Sequence, residues 1–402
     1  MVKQGYKQTE LGLLPEEWEC REIDSFASVC MCKRIFAGQT SETGEIPFYK
    51  IGTFGKKADA YISRRLFEEY KQKYSYPKKG DVLISAAGTL GRTVVYDGEE
   101  AYFQDSNIVW LDIDKSQINN DYLYHYYKVI KWTPSEGSTI ARLYNSIITS
   151  TNVAVPPKQE QEAIAEALSD IDTLIVNLEK LIAKKKAIKQ GAMQELLTGK
   201  RRLPGFDGEW KVCALEELCD MFSGGTPNSR IGSYYGGDIP WVSISDISVS
   251  GKYLINTEKT LTRDGLENSS ARLYPAKTLL FAMYASIGKC CIANQSVSSS
   301  QAILGIYNFR NVTCQFLYYY LSFNQKTFVE MGQTGTQSNL SKKIVQKIPV
   351  FLPELNEQIA IVNILSDMDD ELNTLEKNLK KYQMIKQGMM SELLTGNIRL
   401  VK

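Results

Sequence analysis

Leu168-Ser-Asp-Ile-Asp172 returns 197 residues later as Leu365-Ser-Asp-Met-Asp369. The match extends outward without a gap, from Glu160-Gln161 to Leu203 and from Glu357-Gln358 to Leu400. Leu178-Glu-Lys180 repeats as Leu375-Glu-Lys377, Ile188-Lys-Gln-Gly191 as Ile385-Lys-Gln-Gly388, and Glu195-Leu-Leu-Thr-Gly199 as Glu392-Leu-Leu-Thr-Gly396. Roughly half the positions are identical, so the window is an internal repeat, the feature to settle before any fold is assigned.

Each copy reads as one long helix. Ile164, Leu168, Ile171, Ile175, Leu178 and Ile182 alternate steps of four and three, and Ile361, Leu365, Met368, Leu372, Leu375 and Leu379 do the same. That spacing is the seam of a coiled coil. Pro156-Pro157 and Pro353 stand where proline opens a helix, and Gly199 and Gly396 where glycine ends one. The seams are too short for a fibrous dimer, which points to the two helices pairing within the chain.

Upstream of each helix the repeat persists more faintly. Leu14-Pro15-Glu-Glu-Trp18 resembles Phe206-Asp-Gly-Glu-Trp210, and Asp81-Val-Leu-Ile-Ser85 resembles Thr278-Leu-Leu-Phe-Ala282. Strand-like runs at 82–85, 93–96, 108–113, 279–281 and 302–306 lie between turn signals, with helical stretches near 119–132 and 312–331. The expected fold is α+β: two mixed α/β domains at 1–157 and 200–353, and two long helices at 158–199 and 354–402, related by a pseudo-twofold. The helices repeat closely and the domains loosely, as if one scaffold carried two readers of different targets.

The chemistry-bearing motifs of an enzyme are missing. The 402 residues contain one histidine, His125, and eight cysteines without a Cys-x-x-Cys pair, so a zinc site is not expected. No Gly-x-x-x-x-Gly-Lys-Ser/Thr loop, no Gly-x-Gly-x-x-Gly turn and no Asn/Asp-Pro-Pro-Tyr motif occurs. No apolar run approaches membrane-spanning length and no secretory leader is evident, which suggests a cytoplasmic protein. Net charge is only +1, although residues 210–350 carry 13 Lys and Arg against 9 Asp and Glu. A free-standing DNA-binding domain is often strongly basic, and this chain is not, though a near-neutral whole also suits a protein that docks partners and shares its contacts with them.

These motifs resemble the specificity subunits of type I restriction-modification enzymes. The resemblance covers essentially the whole chain. It is carried by Pro156-Pro157 to Glu160-Gln161 with Leu352-Pro353 to Glu357-Gln358, by the two Leu-Ser-Asp repeats, and by Lys189-Gln-Gly191 to Gly199 with Lys386-Gln-Gly388 to Gly396. Trp18 and Trp210, Gly224-Gly-Thr-Pro227 and Gly335-Thr-Gln337 through Leu340 also look like family signatures. The first domain departs, with Ala37-Gly-Gln-Thr40 and Gly137-Ser-Thr139 through Leu143 in the corresponding places.

The resemblance implies antiparallel pairing of the helices and two target-recognition domains that each read half of a split, asymmetric site on double-stranded DNA. It implies two methyltransferase subunits carrying S-adenosylmethionine, and restriction subunits, two where present, that use ATP and Mg. No cofactor is expected in this chain. Other roles remain open: recognition in a type II-like or another defence system, or a non-catalytic coiled-coil adaptor for proteins.

Base and phosphate contact needs cations and amides on loops. The candidates are Lys33, Arg34, Lys50, Thr53, Arg64, Arg65, Thr89 and Arg92 in the first domain. In the second they are Thr226, Asn228, Arg230, Ser245, Asp246, Tyr284, Lys289, Thr336, Gln337 and Asn339. Lys184-Lys-Lys186 and Lys200-Arg-Arg202 read as solvated helix ends or phosphate contacts. The link from the first helix into the second domain has a counterpart only if the chain's ends meet, so Met1 and Lys402 should be neighbours. The helices would act as a ruler, so an insertion between Asp172 and Lys186 should lengthen the unread gap.

Overall fold

The computed structural model describes residues 4–133, 141–332 and 339–400. The chain divides into two compact units, residues 180–376 and residues 1–179 together with 377–402. The divisions fall inside the two repeats. Each repeat is one 39-residue helix, Lys158–Leu196 and Leu355–Leu393, so each unit takes half of both helices.

The units share one plan. In the first, a four-stranded antiparallel sheet has the order Ala27–Cys30, Ile108–Ile113, Val82–Ser85, Thr93–Val95. In the second, Asp220–Ser223, Ile303–Tyr307, Leu279–Ala282 and Cys290–Ile292 follow the same order. A three-stranded sheet with one parallel pairing accompanies each: Tyr61–Ile62, Ile46–Tyr49, Tyr102–Phe103, and Lys259–Leu261, Tyr235–Val242, Ser298–Ser299. A two-stranded pair precedes each long helix, Glu19–Glu22 with Asn152–Val155 and Lys211–Ala214 with Pro349–Leu352. A hairpin, Tyr6–Thr9 with Gly12–Pro15, belongs to the first unit.

The central strands Val82–Ser85 and Leu279–Ala282 are buried at every position. Such strands read as unbroken apolar runs, which is why they stand out in the sequence. The helical stretches are shorter than the sequence suggests. The first is Asn120–Tyr126, and the second breaks into Cys314–Phe323 and Gln325–Gly332.

The helices pair antiparallel within each unit. In the first, Glu160 meets Arg399 and, further along, Asp172 meets Lys386. In the second, Lys185 pairs with Glu371 (2.6 Å), Lys189 with Asp369, and Arg202 with Glu357 (2.7 Å). The numbers rise on one helix as they fall on the other. Of the seam residues, Ile164, Leu168, Ile171, Ile175, Ile182, Ile361, Leu365 and Leu372 are buried, while Leu178, Met368, Leu375 and Leu379 are half-buried. The seam also serves the domains: Ile164 and Leu168 share a core with Trp18, Tyr122, Leu393 and Leu394, and Ile361 and Leu365 share one with Leu196, Leu215 and Phe316. Lys185 and Lys186 therefore are not free charges, since Lys186 reaches Glu376 (2.7 Å) as Lys185 reaches Glu371, while Lys184 is exposed.

Candidate nucleic-acid interface

Each unit seats its domain on the helix pair with the same buried clamp. Glu160 is fully buried; Trp18 Nε1 donates to it at 2.8 Å, and Arg399 donates from Nε and Nη2 at 2.6 and 2.7 Å. In the second unit Glu357 accepts from Trp210 Nε1 at 3.0 Å and from Arg202 at 2.7 and 2.8 Å. A buried carboxylate is tolerated only when its lone pairs are filled, and a forked guanidinium with an indole N–H fills them. The neighbouring glutamine completes the seat. Gln161 accepts from the Asn119 N–H (2.7 Å) and donates to the carbonyls of Gln117 and Pro156. Gln358 does the same with Thr313, Asn311 and Pro353. Arg202 is thus spent on the clamp and is not a free phosphate contact.

The helices end alike. Gly199 and Gly396 have φ near +70°, and a Cβ at Gly396 would lie 2.5 Å from Pro15. Met1 and Lys402 lie outside the described residues, but Tyr6 donates to the Gly396 carbonyl at 2.9 Å and Arg399 pairs with Glu17 at 2.8 Å.

The candidates gather unevenly. In the first unit Thr89 and Arg92 stand on the turn between the strands Val82–Ser85 and Thr93–Val95. Arg92 lies 5.2 Å over the Phe54 ring and reaches the Ile51 carbonyl, which brings it beside the turn bearing Lys50 and Thr53. The same turn bridges Ala87 to Arg142, a cation that motif reading passed over. In the second unit the equivalent turn carries Tyr284 and Lys289 and bridges Tyr284 to Asn339. Lys289 donates to the Ser248 carbonyl, at the far end of the short helix that begins beside Ser245. Each unit therefore aligns a strand-connecting turn with the chain that resumes at 141 or 339, and sets beside it a second turn in the first unit and the short helix Ile244–Val249 in the second. Thr336 and Gln337, with Gly137 to Thr139, lie outside the described residues.

Other candidates have acidic partners: Arg34 with Asp105 (2.8 Å), Lys50 with Asp59 (2.9 Å), and Arg64 with Glu100 and Glu45 (3.0 and 3.4 Å). Exposed pairs of this kind contribute little and can be exchanged for a phosphate. Arg65 is exposed, and Lys33 lies 5.1 Å over Tyr74. Thr226, Asn228 and Arg230 are exposed on a turn closed by Asn228. The turn starts at Gly224-Gly225, where a Cβ would come within 2.2–2.3 Å of backbone at Ser299 and Ser270. Asp246 is different. It is buried, and its carboxylate accepts from Ser243 N, Ser243 Oγ and Glu258 N, so it holds a turn and turns no oxygen outward.

Among the described residues no cluster of His, Cys, Asp and Glu is placed to hold a metal ion. No helix among them is long and apolar enough to cross a membrane.

Comparison with known proteins gives a consistent result. The model of the type I restriction modification DNA specificity domain matches residues 15–190 and again 207–386. A putative type I restriction enzyme specificity subunit of Haemophilus influenzae is 60% identical over 169 residues, which is 42% of this chain and 44% of that protein. A putative type I restriction enzyme MjaX specificity subunit of Methanocaldococcus jannaschii is 24% identical over 425 residues, 99% of this chain and 97% of its own. The crystal structure of a type I restriction-modification S subunit from M. genitalium shares the fold, with TM-score 0.63 and 17% identity over 98% of this chain and 97% of that one. A chain from a structure of the assembly and conformational transition of the type I restriction-modification system also shares it, with TM-score 0.57 and 15% identity over 96% and 99%. With two matches that leave only the ends and a short linker uncovered, the chain belongs to the type I restriction modification DNA specificity family.

Proposed function

We propose that this chain is the sequence-reading subunit of a type I restriction-modification complex, and that each unit reads one half of a split, asymmetric duplex site. The observation that carries this is the doubled clamp: one seat, Glu–Arg–Trp with its glutamine, holds two domains of one fold whose candidate loops differ. A fixed seat with variable loops suits a reader in which target choice changes while the scaffold does not. The cations and amides on the strand-connecting turns would meet base edges and phosphates.

The chain contributes no catalysis in this reading. Two methyltransferase subunits dock around the helices, bring S-adenosylmethionine and modify adenine, one per half-site. Restriction subunits, where present, bring ATP and Mg and cut unmodified DNA. The helices set the gap. At ~1.5 Å per residue a 39-residue helix is on the order of 60 Å long, somewhat under two turns of B-DNA at ~34–36 Å each.

Sequencing of modified adenines in a host expressing the chain with its methyltransferase tests the reading. Adding two helical turns between Asp172 and Lys186, and at the matching point of the second helix, should widen the unread gap and leave both half-sites intact. A change in half-site bases would refute the ruler.

A further inference from the structure

The second unit holds two cations with no counter-charge. Arg272 Cζ lies 4.4 Å from the centroid of the Phe222 ring, and Lys342 Nζ lies 4.9 Å from the same centroid. Neither makes an ion pair or a side-chain hydrogen bond among the described residues, whereas nearby Arg310 is bound to Asp220 and Arg202 to Glu357. Each is held by the quadrupole of the same ring and, among the described residues, by no carboxylate.

Both are held there by buried neighbours. Tyr274 is fully buried; its ring passes over Gly305, where a Cβ would come within 2.4 Å, and its hydroxyl donates to the Phe222 carbonyl at 2.9 Å. That anchor fixes Arg272 two residues earlier. Leu340 is fully buried and its N–H donates to the Met283 carbonyl at 2.9 Å, which fixes Lys342 two residues later. Phe222 occupies a rung of the sheet opposite Gly305 and Leu280. The rung position of Phe222 is taken in the first unit by Cys30, opposite Trp110 and Leu83.

We propose that Arg272 and Lys342, oriented by Phe222, form a seat for the phosphodiester backbone of duplex DNA in the second unit. The inference rests on the DNA-reading function above. A guanidinium and an ammonium without acceptors between them suit phosphate oxygens, and a contact of this kind sets register without reading bases.

The test uses the full chain with its methyltransferase partner and a duplex bearing the modified site, with affinity followed by fluorescence anisotropy over a salt series. In the double variant Arg272→Gln/Lys342→Gln, affinity should fall by the same factor for specific and unrelated duplexes. The salt slope should shrink by about 1.8, at ~0.9 per lost phosphate contact. Phe222→Leu, which keeps both charges, should weaken binding with the slope unchanged. The modified motif should stay the same in every variant. Unchanged affinity and slope in the double variant, beside a steep wild-type slope, overturns the phosphate seat alone. An altered motif also overturns it, since these side chains would then read bases. A wild-type complex that binds no duplex overturns the DNA-reading function as well.

Discussion

Six residues past the cap that Gln161 or Gln358 holds, the two units part company. The first places His125 there and the second Tyr319. The surface they face is the same: Ser169, Asp172 and Lys386 in one unit, Ser366, Asp369 and Lys189 in the other. Tyr319 donates to Asp369 at 2.6 Å, and Lys252 donates to Tyr319 and to Ser366. His125 is less well served. Its Nε2 lies 3.3 Å from Ser169, its Nδ1 is buried without a hydrogen-bond partner, and Lys128 takes the place beside Asp172 at 3.6 Å. The helix pair presents one docking face twice, and each domain has found its own polar answer to it. A domain exchanged between the two halves must bring a residue that suits that face.

The comparison breaks most sharply at the clamp, where the two units agree. Arg399→Ala leaves Glu160 buried with only Trp18, and Arg202→Ala does the same to Glu357. Each should cost about 3–5 kcal/mol of stability, the range for stranding a buried charge. Urea melts of the two variants should show losses of similar size. A negligible loss in either would mean that the seats are not equivalent.

The next effect separates the units. Burial and nearby Lys128 push the His125 pKa down to about 4, against the weaker upward pull of Asp172. The unfolded imidazole takes up its proton near pH 6.5, so between 6.5 and 4 the unfolded state binds more protons and stability falls as pH drops. The loss should be on the order of 1–3 kcal/mol across that window. His125→Tyr should abolish this part of the acid sensitivity, and Tyr319→His should create it in the second unit. Melting curves at pH 7, 6, 5 and 4 test both, and matching pH profiles for wild type and His125→Tyr would refute the assignment.

The smallest effect sharpens the likeness of the helix ends. Gly199→Ala pays the cost of a left-handed backbone, about 1 kcal/mol, and its Cβ would only touch the Trp210 ring at 3.4 Å. Gly396→Ala pays the same cost and also meets Pro15 at 2.5 Å, so about 2 kcal/mol is expected. Thermal melts should rank Gly396→Ala below Gly199→Ala.

The repeat, the seam and the central strands were legible because each is a pattern within a few residues or at one constant offset. Leu168 and Leu365 announce their burial by spacing alone. What escaped depends on partners far along the chain. Arg202 looked like a charged helix end because its carboxylate lies 155 residues away, and Arg399 meets Glu160 across 239. A hint was present, since both arginines obey the 197-residue offset as strictly as the apolar seam does, and solvated residues have no reason to. Asp246 read as a loop acid because only the fold reveals the backbone N–H of Glu258 reaching its second oxygen. Arg272 and Lys342, 70 residues apart, become one feature only once both are seen against the Phe222 ring.

The division of the chain also orders its synthesis. The second unit is one continuous stretch, 180–376, whereas the first borrows 377–402. A ribosome therefore releases everything the second unit needs while the first still lacks Arg399, and leaves Glu160 waiting for its guanidinium until residue 399 has been made. Protease treatment of nascent chains stalled near residue 380 plus the length of the exit tunnel should find 180–376 resistant and 4–157 still cleavable. The domain made first would be the last to close.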